Sequence, residues 1–282
     1  RRVLFRSISV LGSFATADEI VGWRIIFGFV MAVILLTATR TWGTILPVIR
    51  DKKSLTWMLV STVMIMINWW VYVIGVASGR IIESSLGYFI NPLVTIALAV
   101  IFLKEKLRPL QWVAVSFGAV AVTVLTFDYG HLPWIALSLA FSFGVYGLAK
   151  NKVGGKIAPL TGYAIESGFL TPIAIIQLSF VAATVPGIQF DQHGPWGAFG
   201  LALFGFMTAI PLIMFGSAAK LLPLSYVGLL QYMTPVIQFI TALAVFHEPM
   251  PPARWIGFGL VWVGLAALTY DMLSRSRRPI KG

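Results

Sequence analysis

Apolar stretches of about twenty residues recur along the whole chain, near 19–39, 56–77, 81–102, 109–127, 132–149, 160–184, 196–217, 223–246 and 252–272. Runs of that length read as transmembrane helices. The fold class follows directly: an all-α integral membrane protein with about nine spans and short connections. Composition agrees, since 58% of the residues are hydrophobic and only 11% charged, against about 25% charged in a soluble domain. With no cysteine, neither a disulfide nor a thiolate metal site is available.

The formal charge of +11 raises nucleic acid as a partner, but its distribution argues against one. The side facing the 40–55 loop carries Arg40, Arg50, Lys52, Lys53, Lys104, Lys106, Arg108, Lys150, Lys152, Lys156, Lys220, Arg275, Arg277, Arg278 and Lys281. The opposite side carries only Arg80 and Arg254. Segregation by alternate loops is the positive-inside pattern, which makes the basic side cytoplasmic, the basic tail 273–282 included. The expected partner is the lipid bilayer, with no nucleic acid.

An internal duplication organises the spans. At an offset of 143 positions, without a gap, Pro92 falls on Pro235, Glu105 on Glu248, Pro109 on Pro252, Trp112 on Trp255 and Asp128 on Asp271. Leu86, Ala99, Val120, Leu125 and Thr126 also recur. Coincidences among Leu, Ala and Val are cheap in so apolar a chain; matches among Pro, Glu, Trp and Asp are not. The repeats divide the chain into 8–129 and 130–272. The helix at 132–149 opens the second repeat, and its counterpart in the first would begin before residue 1. Residues 1–7 can be encoded by AGA CGT GTG CTC TTC CGA TCT, a common sequencing adapter. They are therefore expected to be a non-native segment fused to a gene fragment. With that helix restored the parent has ten helices, five per repeat. An odd number forces the repeats to enter the membrane in opposite orientations. Inverted repeats are a recurring plan of secondary transporters, because exchanging the conformations of two similar halves exchanges the outward and inward states.

The run Glu83-Ser84-Ser85-Leu86-Gly87-Tyr88-Phe89-Ile90-Asn91-Pro92-Leu93, then Phe102-Leu103-Lys104-Glu105 and Leu110-Gln111-Trp112, resembles the RarD branch of the EamA transporters, within the drug/metabolite transporter superfamily. The likeness covers about residues 12–272. It implies two EamA repeats and carrier-type transport across a bacterial inner membrane, with export as the direction. The second repeat departs from the pattern at Val245-Phe246-His247-Glu248-Pro249.

Candidate site residues follow from depth and chemistry. Pro92 and Pro235 lie near the middles of their helices, and each leaves the carbonyl four residues earlier, of Tyr88 and Gln231, without its helical donor. Such carbonyls are tolerated at membrane depth where protein or a water-filled cavity receives them. The alternative is a pair of packing kinks. Asn68, Trp69, Tyr72, Tyr88, Asn91, Gln231 and Tyr232 supply aromatic faces and amides at similar depth, suited to an amphipathic organic solute. Interhelical hydrogen bonding is the plainer role for them. Ionisable groups inside spans are costly enough to need a reason. Arg24 and Glu83 are at depths that permit an ion pair, while Glu83 and Glu166 are candidates for coupling transport to protons. A static pair for Glu83 and a water-reaching side chain for Glu166 are the bland alternatives. Glu105 and Glu248 fall in loops on opposite sides and are expected to cap helix ends or hold tight turns, with Pro109 and Pro252 as first-turn prolines.

No catalytic residues, cofactor or metal are expected. The chain has no Gly-rich Lys-Ser/Thr phosphate loop, and His131, His193 and His247 are far apart in external loops. The leading expectation is a secondary transporter of a small organic metabolite, amino-acid-like solute or drug, with a homodimer allowed. A channel or non-transporting receptor is the alternative; an intramembrane enzyme is a more distant one.

Overall fold

The computed structural model describes residues 17–78, 81–129, 134–184 and 194–231, with a few isolated positions elsewhere. Those residues form helices α1 (Ala17–Ala38), α2 (Ile45–Arg50), α3 (Lys52–Ala77), α4 (Ile81–Leu103), α5 (Pro109–Tyr129), α6 (Trp134–Gly154), α7 (Pro159–Thr184), α8 (Gly194–Leu221) and α9 (Leu224–Gln231), with a short 3-10 turn, Trp42–Thr44, before α2. Among the described residues there is no strand. Segments of α1, α3, α7 and α8 are long and apolar enough to cross a membrane, and shorter apolar segments lie in α4 and α5.

The helix ends are set by local chemistry. Asp51 precedes α3 as its N-cap: its carboxylate accepts the Lys53 amide at 3.3 Å and the Ser54 hydroxyl at 2.6 Å. At the start of α5, Pro109 takes the first helical position and Gln111 Oε1 reaches back to the Arg108 amide at 3.0 Å. This is the reciprocal half of a capping box. At the ends of α1 and α4, Arg40 (φ 53°) and Lys104 (φ 55°) turn left-handed. There the Thr41 amide returns to the Leu36 carbonyl, as in a Schellman cap, and the Glu105 amide reaches one residue further back, to the Ala99 carbonyl.

The chain divides into two compact units that cut across the sequence repeats. One comprises residues 1–73 and 146–222, the other 74–145 and 223–282. Each therefore draws on both halves of the sequence.

In the first unit, α1 packs against α7 and α8. Close approach depends on glycine: a Cβ on Gly205 would stand 2.5 Å from Phe27 Cβ and 3.1 Å from the Arg24 carbonyl, and one on Gly28 would meet the Tyr163 hydroxyl at 2.5 Å. Small residues are the usual means of bringing membrane helices together. Ala32, Leu36, Tyr163, Ala164 and Ala209 form one buried cluster here, and Val48, Met58, Val153, Ile157 and Ile165 another. Asn151 also ties α6 to α8, donating to the Ala219 carbonyl at 2.9 Å.

In the second unit, α4 packs between α5 and α9 around Phe89, Ile90, Ile96, Ala114, Ala136, Ala140 and Leu229. Glu105 caps α9 from the α4–α5 loop: its two carboxylate oxygens accept the Leu224 and Ser225 amides at 2.8 and 3.0 Å. That is the helix-capping role expected of it, at the N-terminus of a helix far along the chain. Glu248 and Pro252 lie outside the described residues.

Candidate functional site

The sequence candidates fall into two groups, one in each unit. In the first unit the centre is Glu166, on the second turn of α7. It is buried, and Lys150 Nζ lies 2.7 Å from its Oε1, with the two side chains 5% and 4% exposed. The Ser61 hydroxyl of α3 donates to the same oxygen. The Tyr146 hydroxyl of α6 donates to Oε2 over a long 3.5 Å. Two helices, α3 and α6, thus supply a cation and two hydroxyls to one carboxylate of a third. Such full partnering is what a buried charge requires, because desolvation otherwise costs several kcal/mol per ion.

The water-reaching alternative for Glu166 does not hold, since its charge is met by Lys150. Lys150 is itself a correction: it does not belong with the loop cations. It lies inside α6, 5% exposed. The apolar run ends at residue 149, but the helix continues through Asn151 to Gly154. The Gly154-Gly155 pair was the available signal. A glycine stop at that point puts Lys150 one turn inside the helix.

Glu166 and Trp69 line one narrow cleft with Ile25, Ile65, Tyr163, Ser167, Leu170 and Leu212. The empty space within it and its mouth is about 270 Å³, but its free interior holds only about one water molecule. Arg24 stands over the Trp69 ring, its guanidinium carbon 4.1 Å from the centroid. One of the aromatic faces expected to suit an amphipathic solute is thus engaged by a cation of the chain. Asn68 and Tyr72 lie on the same helix, both half-buried, and Tyr72 is within electrostatic range of Arg24. The Glu83 side chain lies outside the described residues.

In the second unit, Thr95 connects two of the candidates. Its hydroxyl lies 3.5 Å from Asn91 Oδ1 and 3.3 Å from Gln231 Oε1. One hydroxyl hydrogen serves one acceptor at a time, so the bridge is weak. Gln231 Nε2 is buried with no hydrogen-bond partner among the described residues. Pro92 lies inside α4, and its carbonyl would be 3.2 Å from a Cβ on Gly228. The backbones of α4 and α9 therefore come close at Pro92. Tyr88, one turn before, is partly exposed. Tyr232 and Pro235 lie outside the described residues.

Sequence reasoning missed Lys150, Ser61, Tyr146, Tyr163 and Thr95. It also passed over Glu19, which is fully buried on the first turn of α1 and accepts the Trp23 indole N–H at 3.2 Å. For Tyr146 and Lys150 the i, i+4 spacing on one helix face was a signal; for Ser61 none was present.

Among the described residues no group of His, Asp or Glu is arranged to hold a metal ion. Comparison with known proteins supplies what geometry does not. The EamA-like transporter family matches residues 5–127 and again residues 133–270. The chain belongs to the EamA-like transporter family. Protein RarD of Streptomyces exfoliatus is 44% identical to it over 262 residues, 93% of this chain and 82% of that protein. The uncharacterized transporter YojE of Bacillus subtilis (strain 168) is 39% identical over 264 residues, 93% of this chain and 87% of its own. A solved crystal structure covers 98% of this chain and 94% of its own with a TM-score of 0.69 at 15% identity, a likeness of fold alone. This EamA protein is accordingly an all-α, multi-pass membrane protein of a transporter class.

Proposed function

We propose that this EamA protein is a secondary carrier of the inner membrane that moves a small organic metabolite, amino-acid-like solute or drug outward by alternating access between inverted repeats. The observation that carries this reading is the double match to a transporter family across nearly the whole chain. Duplication supplies two similar halves whose conformations can exchange. Trp69 and Tyr72 in one unit, and Tyr88, Asn91 and Gln231 in the other, are the residues proposed to contact solute. Pro92 and Pro235 are the proposed kinks, and Glu166 is the proposed proton-coupling group, with Glu83 and Arg24 as further candidates. The basic tail is on the cytoplasmic side.

Counterflow in proteoliposomes tests the reading. Vesicles preloaded with pooled amphipathic metabolites are challenged with labelled members of the same pool. A carrier gives saturable, trans-stimulated entry. Ion current without saturation or trans-stimulation means a channel, and silence from folded protein in every pool removes the carrier reading.

A further inference from the structure

The Lys150–Glu166 pair lies close to the end of its helices, not at their middle. Lys150 is one turn before Gly154, where α6 stops, and Glu166 is two turns after Pro159, where α7 starts. The two partners differ in what they reach. Glu166 lines the cleft with Trp69 and Tyr163, while Lys150 does not. The lysine is instead beside the helix end, where Gly155 and Lys156 are exposed.

We propose that this pair is a proton-operated lock. A proton entering through the cleft binds Glu166 Oε2, the oxygen that accepts the long Tyr146 hydrogen bond. The carboxylate becomes a neutral carboxyl, and Lys150 loses its counter-ion. A lysine one turn from a helix end can then extend its stem and place its ammonium in interfacial water. Return of the proton to the cleft restores the carboxylate and draws Lys150 back. The proposal rests on the carrier reading for its consequence, which is access to the cleft from the α6–α7 end under control of the proton.

Two observations favour a proton over an organic cation as the operator. The free interior of the cleft is about one water molecule in size, which suits a proton carried by water and, with the helices as they stand here, is too small for an organic amine. The neutral carboxyl also has local partners: its new O–H can donate to the hydroxyl oxygen of Tyr146 or Ser61, since a hydroxyl both donates and accepts.

The groups facing Glu166 are few. Helix α6 presents Lys150 and Tyr146, α3 presents Ser61, and α7 itself presents Tyr163. Helix α1 brings Arg24 within electrostatic range of Tyr163. Helix α8 contributes Leu212 to the cleft and Phe215, whose ring stacks 5.6 Å from that of Tyr146. Its Lys220 is exposed at the helix end, beside Gly154.

Lysine labelling tests the lock without any substrate. Membrane vesicles open on the α6–α7 side are treated with an impermeant amine-reactive ester, and modification of Lys150 is read by peptide mass spectrometry. Exposed Lys152 on the same helix is the internal reference for reagent reactivity at each pH. The expected result is strong protection of Lys150 at alkaline pH, lost on acidification. In Glu166→Gln, which copies the neutral carboxyl, protection is absent throughout. Wild-type protein alone suffices should that variant fail to fold. Labelling equal to Lys152 at every pH, or protection unchanged by acid, overturns the lock. Acid-dependent labelling without counterflow keeps the lock and removes the carrier reading; counterflow with pH-independent labelling does the reverse.

Discussion

Glu166 and Lys150 hold charges almost wholly out of bulk solvent, so each depends on the other. Removing one partner of a buried pair strands the second, which costs about 3–5 kcal/mol, while replacing both by groups of similar volume is often close to neutral. Lys150→Met is therefore expected to lower the thermal midpoint in detergent sharply, because the short Glu166 side chain has no way out to water, and Glu166→Gln added to it to recover most of the loss. A double variant as unstable as the single one would show that the pair's charge is not the cause. Asp51, outside the spans, is a milder case. The Ser54 hydroxyl, with help from the Lys53 amide and the Lys156 charge, holds its carboxyl below its ordinary value near 3.8. A depressed carboxyl stabilises the fold above its unfolded value and loses that effect as pH falls through the folded one. The Asp51 contribution should thus be intact at neutral pH, begin to fall near pH 4 and be gone once the pH is below the folded value. Melting wild type and Asp51→Asn across that range checks this: the two curves should converge in acid.

At the scale of elements, short-range chemistry fixes where helices stop and a long-range contact fixes where one starts. Lys104 ends α4 in the left-handed region, and that turn delivers Glu105 to the first amides of α9. Loss of an N-terminal cap costs about 1–2 kcal/mol. Glu105→Ala is expected to lower stability by that amount and to speed hydrogen exchange at the start of α9 while leaving α1 unchanged. Equal exchange in both helices would contradict the capping role. The same scale explains a misplacement. Hydropathy ends the α6 span at residue 149 because Lys150, Asn151 and Lys152 are polar. The helix runs on to Gly154, since propensity and the glycine stop, not hydropathy, decide where backbone hydrogen bonds end.

For the whole molecule, the first unit depends on helices brought nearly to backbone contact. Gly205→Ala would set a Cβ against Phe27 Cβ and the Arg24 carbonyl, neither of which is the far end of a flexible chain. Overpacking of this kind costs about 1–3 kcal/mol. The expected outcome is a matching drop in stability, with exchange rising in α1 and α8 before α4. Orientation has its own test. The chain contains no cysteine, so Ser276→Cys places a single thiol in the basic tail. It should react with an impermeant maleimide in inside-out vesicles and not in right-side-out ones.

The residues by themselves determined the all-α membrane class, because long apolar runs leave the backbone few options in lipid. They also gave the family resemblance through the Glu83–Leu93 run, and Glu105 as a structural rather than a catalytic acid. They singled out Glu166 as a carboxyl in need of a reason. They did not supply its partner. Lys150 is near Glu166 in sequence, but Ser61 is 105 positions away, and no periodicity within a helix reports on a neighbour across it. Likewise Asn91 and Gln231 were chosen for depth, whereas Thr95, which joins them, reads in sequence as one more small residue in an apolar helix. Local pattern fixes how each segment meets lipid. Which polar groups meet one another depends on how the helices pack, and only the tertiary structure decided that.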